Sequence, residues 1–202
     1  MSGLKKMEPY TQRKLNMRNF HFGCNGKDRF DEVQQYLRRL TDADKDSAHH
    51  VIIDIAKQQL AVNATVLSAL SPYWRNLINE NAQDSPVIYK ISPVISHGPI
   101  LLLPLIRLLI YVGNVSVPIK YIKDITTILR ELHLEVSDFA VTNTGSEVEC
   151  LTWENHFGHF MKGLQTMCNK QECTDLSIFV DSHVIKVHKL VLSSYVKCKI
   201  FV

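Results

Sequence analysis

Glycine and proline are scarce in this 202-residue chain, at eight and seven residues, which excludes collagen-like and low-complexity architectures. Long hydrophobic runs are missing as well. The longest, residues 99–112, contains Pro104 and Arg107 and falls short of the roughly 20 residues that a membrane-spanning helix needs. Nor does one sign of charge dominate. The net charge of +3 is too mild to argue for nucleic acid as a partner. The five cysteines, Cys24, Cys150, Cys168, Cys173 and Cys198, include no CxxC pair, and residues 1–20 are basic (Lys5, Lys6, Arg13, Lys14, Arg18) without an apolar signal core. That combination predicts free thiols in a reducing compartment, cytoplasmic or nuclear. A mitochondrial presequence is the alternative reading of the basic start. No phosphate-cradling glycine loop, nucleophile elbow or HExxH motif occurs.

What is present is enough apolar sequence, 46%, for one medium domain or two small ones. Residues 1–25 lack a sustained hydrophobic period and read as a flexible basic arm. Phe30, Val33, Leu37 and Leu40 then recur at helical spacing. Val51, Ile53 and Ile55 alternate as a half-buried strand, Lys57–Gln59 turn, and Leu60 and Val62 return. Residues 64–70 predict a short helix, Pro72 opens another, and residues 87–91 read as a strand. A buried helix covers 98–111, closed by Gly113, and an amphipathic one carries Ile122, Ile125, Ile128 and Leu132. Residues 141–149 (VTNTGSEVE) are the best linker candidate in the chain.

Beyond them the programme restarts. Phe157, Phe160, Met161 and Leu164 share a helical face; Leu176, Ile178 and Val180 alternate; Asp181-Ser182 turns; Ile185 and Val187 return. At a constant offset of 125, residues 51–68 lie over 176–193 without a gap, with identities Ile53/Ile178, Val62/Val187, Val66/Val191, Leu67/Leu192 and Ser68/Ser193. Helix, hairpin and helix in the same order on both sides argue for an internal duplication.

These residues resemble a BTB/POZ domain. CTDLSIFVDSHVIKVHKLVLSS (173–194) is similar to the family's opening pattern, with Asp175, Val187, His188, Lys189 and Leu192 at its positions. LSALSPYWRNL (67–77) resembles its Leu-x-x-x-Ser-Pro-aromatic segment, and LLIYVGNV (108–115) its apolar-Tyr-x-Gly turn. The first copy departs at His50 and Asn63, which replace the family's Asp and His, and at Arg107, which falls where the family buries an apolar side chain. The resemblance implies an α+β fold, a small mixed sheet with a cluster of helices, followed by a partial helix-hairpin-helix repeat. The expected organisation is a 26–140 BTB-like domain, a 141–153 linker and a 154–202 partial second domain, truncated and unable to fold alone. Its strands, with IFV at the end, are an aggregation hazard if left unpaired.

The resemblance also implies function. A leading helix of this family contributes to a two-fold dimer interface, which here would use Phe30, Val33, Leu37, Leu40, Phe157, Phe160, Met161 and Leu164. The plainer reading of both helices is packing onto their own domain, and a third is pairing of one copy's helix with the other copy. Ile78-Asn79-Glu80 resembles the apolar-x-Glu element that some members use to contact a cullin scaffold of ubiquitin ligases; an ordinary surface loop is the plainer reading. The expected role is therefore a non-catalytic interaction module without cofactor or metal, acting as a substrate adaptor. A BTB-type transcriptional co-regulator or scaffold is the alternative. His156, His159, Cys168 and Cys173 could be read as a zinc set, but their spacing departs from structural zinc sites. His188 reads as a structural residue, since no nucleophile or paired carboxylate accompanies it.

Overall fold

A computed structural model describes residues 34, 35, 37, 38, 50–81, 87–135, 139–143, 148–180, 183–189 and 192. The expected basic arm, 1–25, lies outside them. Among the described residues the architecture is α+β, with five helices and three small sheets.

Strands β1 (His50–Ile55) and β2 (Gln58–Asn63) form an antiparallel hairpin, and β3 (Val87–Ile91) adds parallel to β1, giving the order β2-β1-β3. The turn is shorter than the sequence suggests. Ala56 and Lys57 alone occupy it, both in the left-handed region (φ 49° and 70°), the backbone whose twist suits a two-residue hairpin. Gln58 and Gln59 already pair with Ile55 and Asp54. One face of the hairpin, with Val51, Ile53, Ile55, Leu60 and Val62, is buried.

Helix α1 (Ala64–Leu70) follows directly, its first turn capped by the Asn63 side chain, which accepts the Val66 N–H at 3.2 Å. Helix α2 (Pro72–Glu80) starts on Pro72, where a missing N–H costs nothing. Helix α3 (Pro99–Val112) ends at Gly113 (φ 81°), and β4 (Asn114–Pro118) leads into α4 (Ile119–Glu131). The loop before α3 is tied to α4 by buried Asp124, which accepts the Ser96 and His97 N–H groups at 3.0 and 2.9 Å and faces His97 Nδ1 at 2.7 Å. Burial works to raise the Asp124 pKa, yet these bonds hold it below the ordinary carboxylate value. Arg107 is half-buried, its guanidinium 6.0 Å from the centre of the Tyr111 ring.

The expected linker, 141–153, is strand over its described residues: 141–143 belong to β5 (Phe139–Asn143) and 148–153 are β6 (Val148–Trp153), antiparallel to each other, and β6 pairs with β4 in a sheet of order β4-β6-β5. Polar composition concealed two strands whose Val and Thr content suits a half-exposed sheet. Leu151 and Trp153 carry the burial. The sheet therefore crosses the expected boundary at residue 140.

Helix α5 (His156–Lys170) packs on α1. Phe160, Leu164 and Met167 join the same core cluster as Val51, Val66 and Leu109. Gly163 sits so close to α1 that a Cβ there would overlap the carbonyl of Ala69. Strands β7 (Leu176–Val180) and β8 (His183–Val187) form a separate two-stranded sheet, the expected Asp181-Ser182 turn lying outside the described residues. Its register repeats the first hairpin position for position at the offset of 125. Val51↔Val62, Ile53↔Leu60 and Ile55↔Gln58 become Leu176↔Val187, Ile178↔Ile185 and Val180↔His183.

The α1–α5 contact generates a direct test. Gly163→Ala forces the helices apart at the Ala69 carbonyl and should cost roughly 2–3 kcal/mol, read as a lowered denaturant midpoint.

Candidate interaction surface

Of the residues expected to form an interface, Phe30, Val33 and Leu40 lie outside the described residues. Leu37 is 1% exposed and belongs to the core. On α5, Phe160 and Leu164 are buried in the contact with the rest of the chain, while Phe157 and Met161 are half-buried against it. Leu37 and the apolar face of α5 are consumed internally. An amphipathic period reports that a face is covered but not by which surface, and here this chain's own core covers it.

Ile78 and Glu80 lie on the last turn of α2 rather than in a loop. Ile78 is half-buried against the core and Glu80 is exposed. Seven residues separate Tyr73 from Glu80, so the two share one face of α2 with exposed Asn76 and half-buried Leu77. Asn79, beside them, accepts from the Cys173 N–H at 3.1 Å and lies 3.2 Å from its thiol, tying the end of α2 to the segment before β7.

An aromatic group that the sequence did not single out as a unit adjoins this face. Trp74 is buried and donates from Nε1 to the Leu132 carbonyl at 2.7 Å, anchoring α2 to the end of α4. Tyr73, on the outer side, stacks on the His133 ring at 3.7 Å and donates to the Tyr89 hydroxyl at 3.2 Å. That hydroxyl in turn lies 3.3 Å from His133 Nε2, and donates to it when the nitrogen is unprotonated. Burial, the Tyr73 hydroxyl and the nearby Glu131 charge push the Tyr89 pKa up to about 12. Tyr73, Tyr89 and His133 come from α2, β3 and the residue pair after α4. His133 holds its place through a left-handed backbone (φ 53°). The available signal was the Tyr-Trp pair after Pro72; nothing local marks Tyr89 or His133 as its neighbours. Rigid aromatic rings with polar tips are the chemistry of protein recognition.

The four residues of the zinc reading point to different partners. His156 is buried, with Nε2 donating to the Ile110 carbonyl at 2.9 Å, and its ring occupies the space where Gly113 lacks a side chain. Burial pushes its pKa down, as it pushes the thiols of Cys168 and Cys173 up. His159 lines a cleft of about 230 Å³ with Arg75, Glu135 and Lys162, whose one hydroxyl, that of Thr166, donates to the Lys162 carbonyl at 2.8 Å. In the second hairpin Asp175 accepts the Lys189 N–H at 2.6 Å. His188 is buried, and neither ring nitrogen makes a hydrogen bond of ordinary geometry. Burial lowers its pKa, opposed by the Asp175 charge and the Cys173 backbone. Among the described residues no helix is long and apolar enough to cross a membrane. No protein-family model matches the chain, and no curated protein matches it.

Two outcomes follow. His156 holds fewer protons folded than unfolded below its ordinary pKa of 6.5. Stability should therefore be full above about pH 6.5 and decline as the pH falls toward the lowered folded value. His156→Gln, which keeps a donor without titrating there, should flatten the decline in denaturant midpoints measured across that range. Leu37→Asp places a carboxylate in the core and should lower stability by about 3 kcal/mol or more in thermal melts, rather than splitting a dimer of intact subunits.

Proposed function

We propose that this protein is a BTB-like, non-catalytic adaptor that recruits a protein partner through the outer face of α2, with a cullin scaffold of a ubiquitin ligase as the leading candidate. The observation that carries the reading is the cluster of Tyr73, Tyr89 and His133 beside Glu80. It offers aromatic anchors held by a hydrogen-bonded chain, with the exposed Glu80 carboxylate two turns along the same face of α2. Ile78 and Glu80, the apolar and acidic members of the cullin-like triplet, sit on the same helix. The proposal includes an internal duplication, supported by the common register of the two hairpins and by the helix restarting after each of them. Recruitment would work by burying the aromatic edges and pairing Glu80 with a cation of the partner, while rim contacts set orientation.

A second reading, a co-regulator or scaffold acting through self-association, has its own observation. Ile100, Leu101, Pro104 and Leu108 form an exposed apolar stripe along α3, with Ile100 and Leu101 66% and 54% exposed. A symmetric pair is the commonest way to cover such a stripe.

Binding of the purified full chain to a purified cullin N-terminal region, followed by calorimetry, tests the first reading. Glu80→Lys and Tyr73→Ala should each weaken binding at least tenfold, about 1.4 kcal/mol, while thermal melts stay within a few degrees of the parent. Absence of binding by the parent chain would remove the cullin role. A dimer in sedimentation equilibrium that Leu101→Asp dissociates would favour the second reading.

A further inference from the structure

The cleft beside His159 gathers charges that the chain leaves unpaired. Its floor is buried: Ala69, Leu70 and Trp153 line it and are 3%, 8% and 3% exposed. Around them stand half-buried Arg75 from α2, exposed Lys162 from α5 and exposed Glu135. Among the described residues no carboxylate pairs with Arg75 or Lys162, and no cation pairs with Glu135. Two positive charges and one negative therefore share a space of about 230 Å³, room for several water-sized groups.

Two of the donors are held in advance. Arg75 Nε donates to the Ser68 carbonyl at 3.1 Å, which fixes the plane of the guanidinium and leaves its terminal amino groups for another acceptor. Trp153 is clamped between rings, with Phe139 tilted against it at 5.0 Å and His156 edge-on at 5.1 Å. Its backbone N–H is tied to the Gly113 carbonyl, but its buried indole N–H has no acceptor. A buried donor left this way costs free energy, which an oxyanion seated against it would recover. Lys162 adds a point charge on a flexible stem, able to close over whatever the fixed donors hold.

We propose that this cleft binds a phosphate monoester, with Arg75, Lys162 and the Trp153 indole as its donors. Charge and geometry both favour that class. A phosphate monoester carries about 1.5–2 negative charges at pH 7 and three acceptor oxygens. The cleft meets them with two cations and a neutral donor drawn from three different elements. A carboxylate would be satisfied by the Arg75 fork alone, leaving Lys162 and the indole unused. Glu135 opposes the ligand's charge and so sets the affinity from the rim. Arg75 follows Tyr73 by two residues, a rotation of about 200° on α2, which puts cleft and aromatic surface on opposite faces of that helix. Both can be occupied together, and loss of cullin binding would leave this inference standing.

The chain has two tryptophans, so the indole N–H signals of the nitrogen-15-labelled full chain report on the site in solution. Titration with inorganic phosphate or with N-acetyl-phosphoserine amide, at constant ionic strength, should move the Trp153 signal saturably. That of Trp74, already bonded to the Leu132 carbonyl, should stay in place. Arg75→Gln and Lys162→Gln should each weaken binding at least about fivefold, and Glu135→Gln should tighten it severalfold. Lys162 is exposed, so Lys162→Gln decides the matter if Arg75→Gln disturbs the fold. Phosphoserine bound more tightly than inorganic phosphate would support the proposal and assign the ligand to a phosphorylated protein segment; the reverse order would support it and assign a free phosphate. A Trp153 signal that stays still, shifts without saturating, or saturates equally in Lys162→Gln would overturn it. Acetate binding as tightly as phosphate would overturn it too, since the site would then be one for carboxylates.

Discussion

The turn at Gly113 is the joint on which the rest of the chain hangs. Only glycine fits there, because its left-handed backbone reverses α3 into β4 and the place of its missing side chain is filled by the His156 ring. The same turn supplies two acceptors: the Gly113 carbonyl takes the Trp153 N–H at 2.6 Å, and the Ile110 carbonyl takes His156 Nε2. This pair of bonds fixes where β6 ends and α5 begins. With that start fixed, α5 runs over α1, and Gly163 permits the two backbones to meet. A side chain at either glycine would require both helices and the β4-β6-β5 sheet to shift together.

Much of the front of the fold was legible from residue order alone. Alternation at 51–62, Pro72 at a helix start and Gly113 at a helix end each express a local rule that tertiary packing did not override. The β5–β6 hairpin was not legible, because the polar run Thr142-Asn143-Thr144-Gly145-Ser146-Glu147 has the composition of a connector. The destination of the amphipathic faces was hidden for another reason. Leu37 and Phe160 follow the period of a buried helix face, and that period is the same whether the covering surface belongs to the chain or to a partner.

The α2 surface shows the same limit from the opposite side. Tyr73, Tyr89 and His133 lie 16 and 44 residues apart in sequence order, and only the sheet and the end of α4 bring them together. Their arrangement combines rigidity with accessibility: Trp74 pins the helix from beneath while Tyr73 keeps its edge at the surface. A recognition surface built this way loses little side-chain entropy on binding, because the rings are already held.

The seat of α5 on α1 has a consequence for how the protein is made. About 100 residues separate the end of α1 from the end of the helix that covers it. At typical rates of synthesis, that is about 5–20 s during which the nascent chain presents the surface around Ala69 with nothing to occupy it. During that interval the ribosome-bound chain is a natural client for chaperones, and a pause in translation before residue 170 would prolong its exposure.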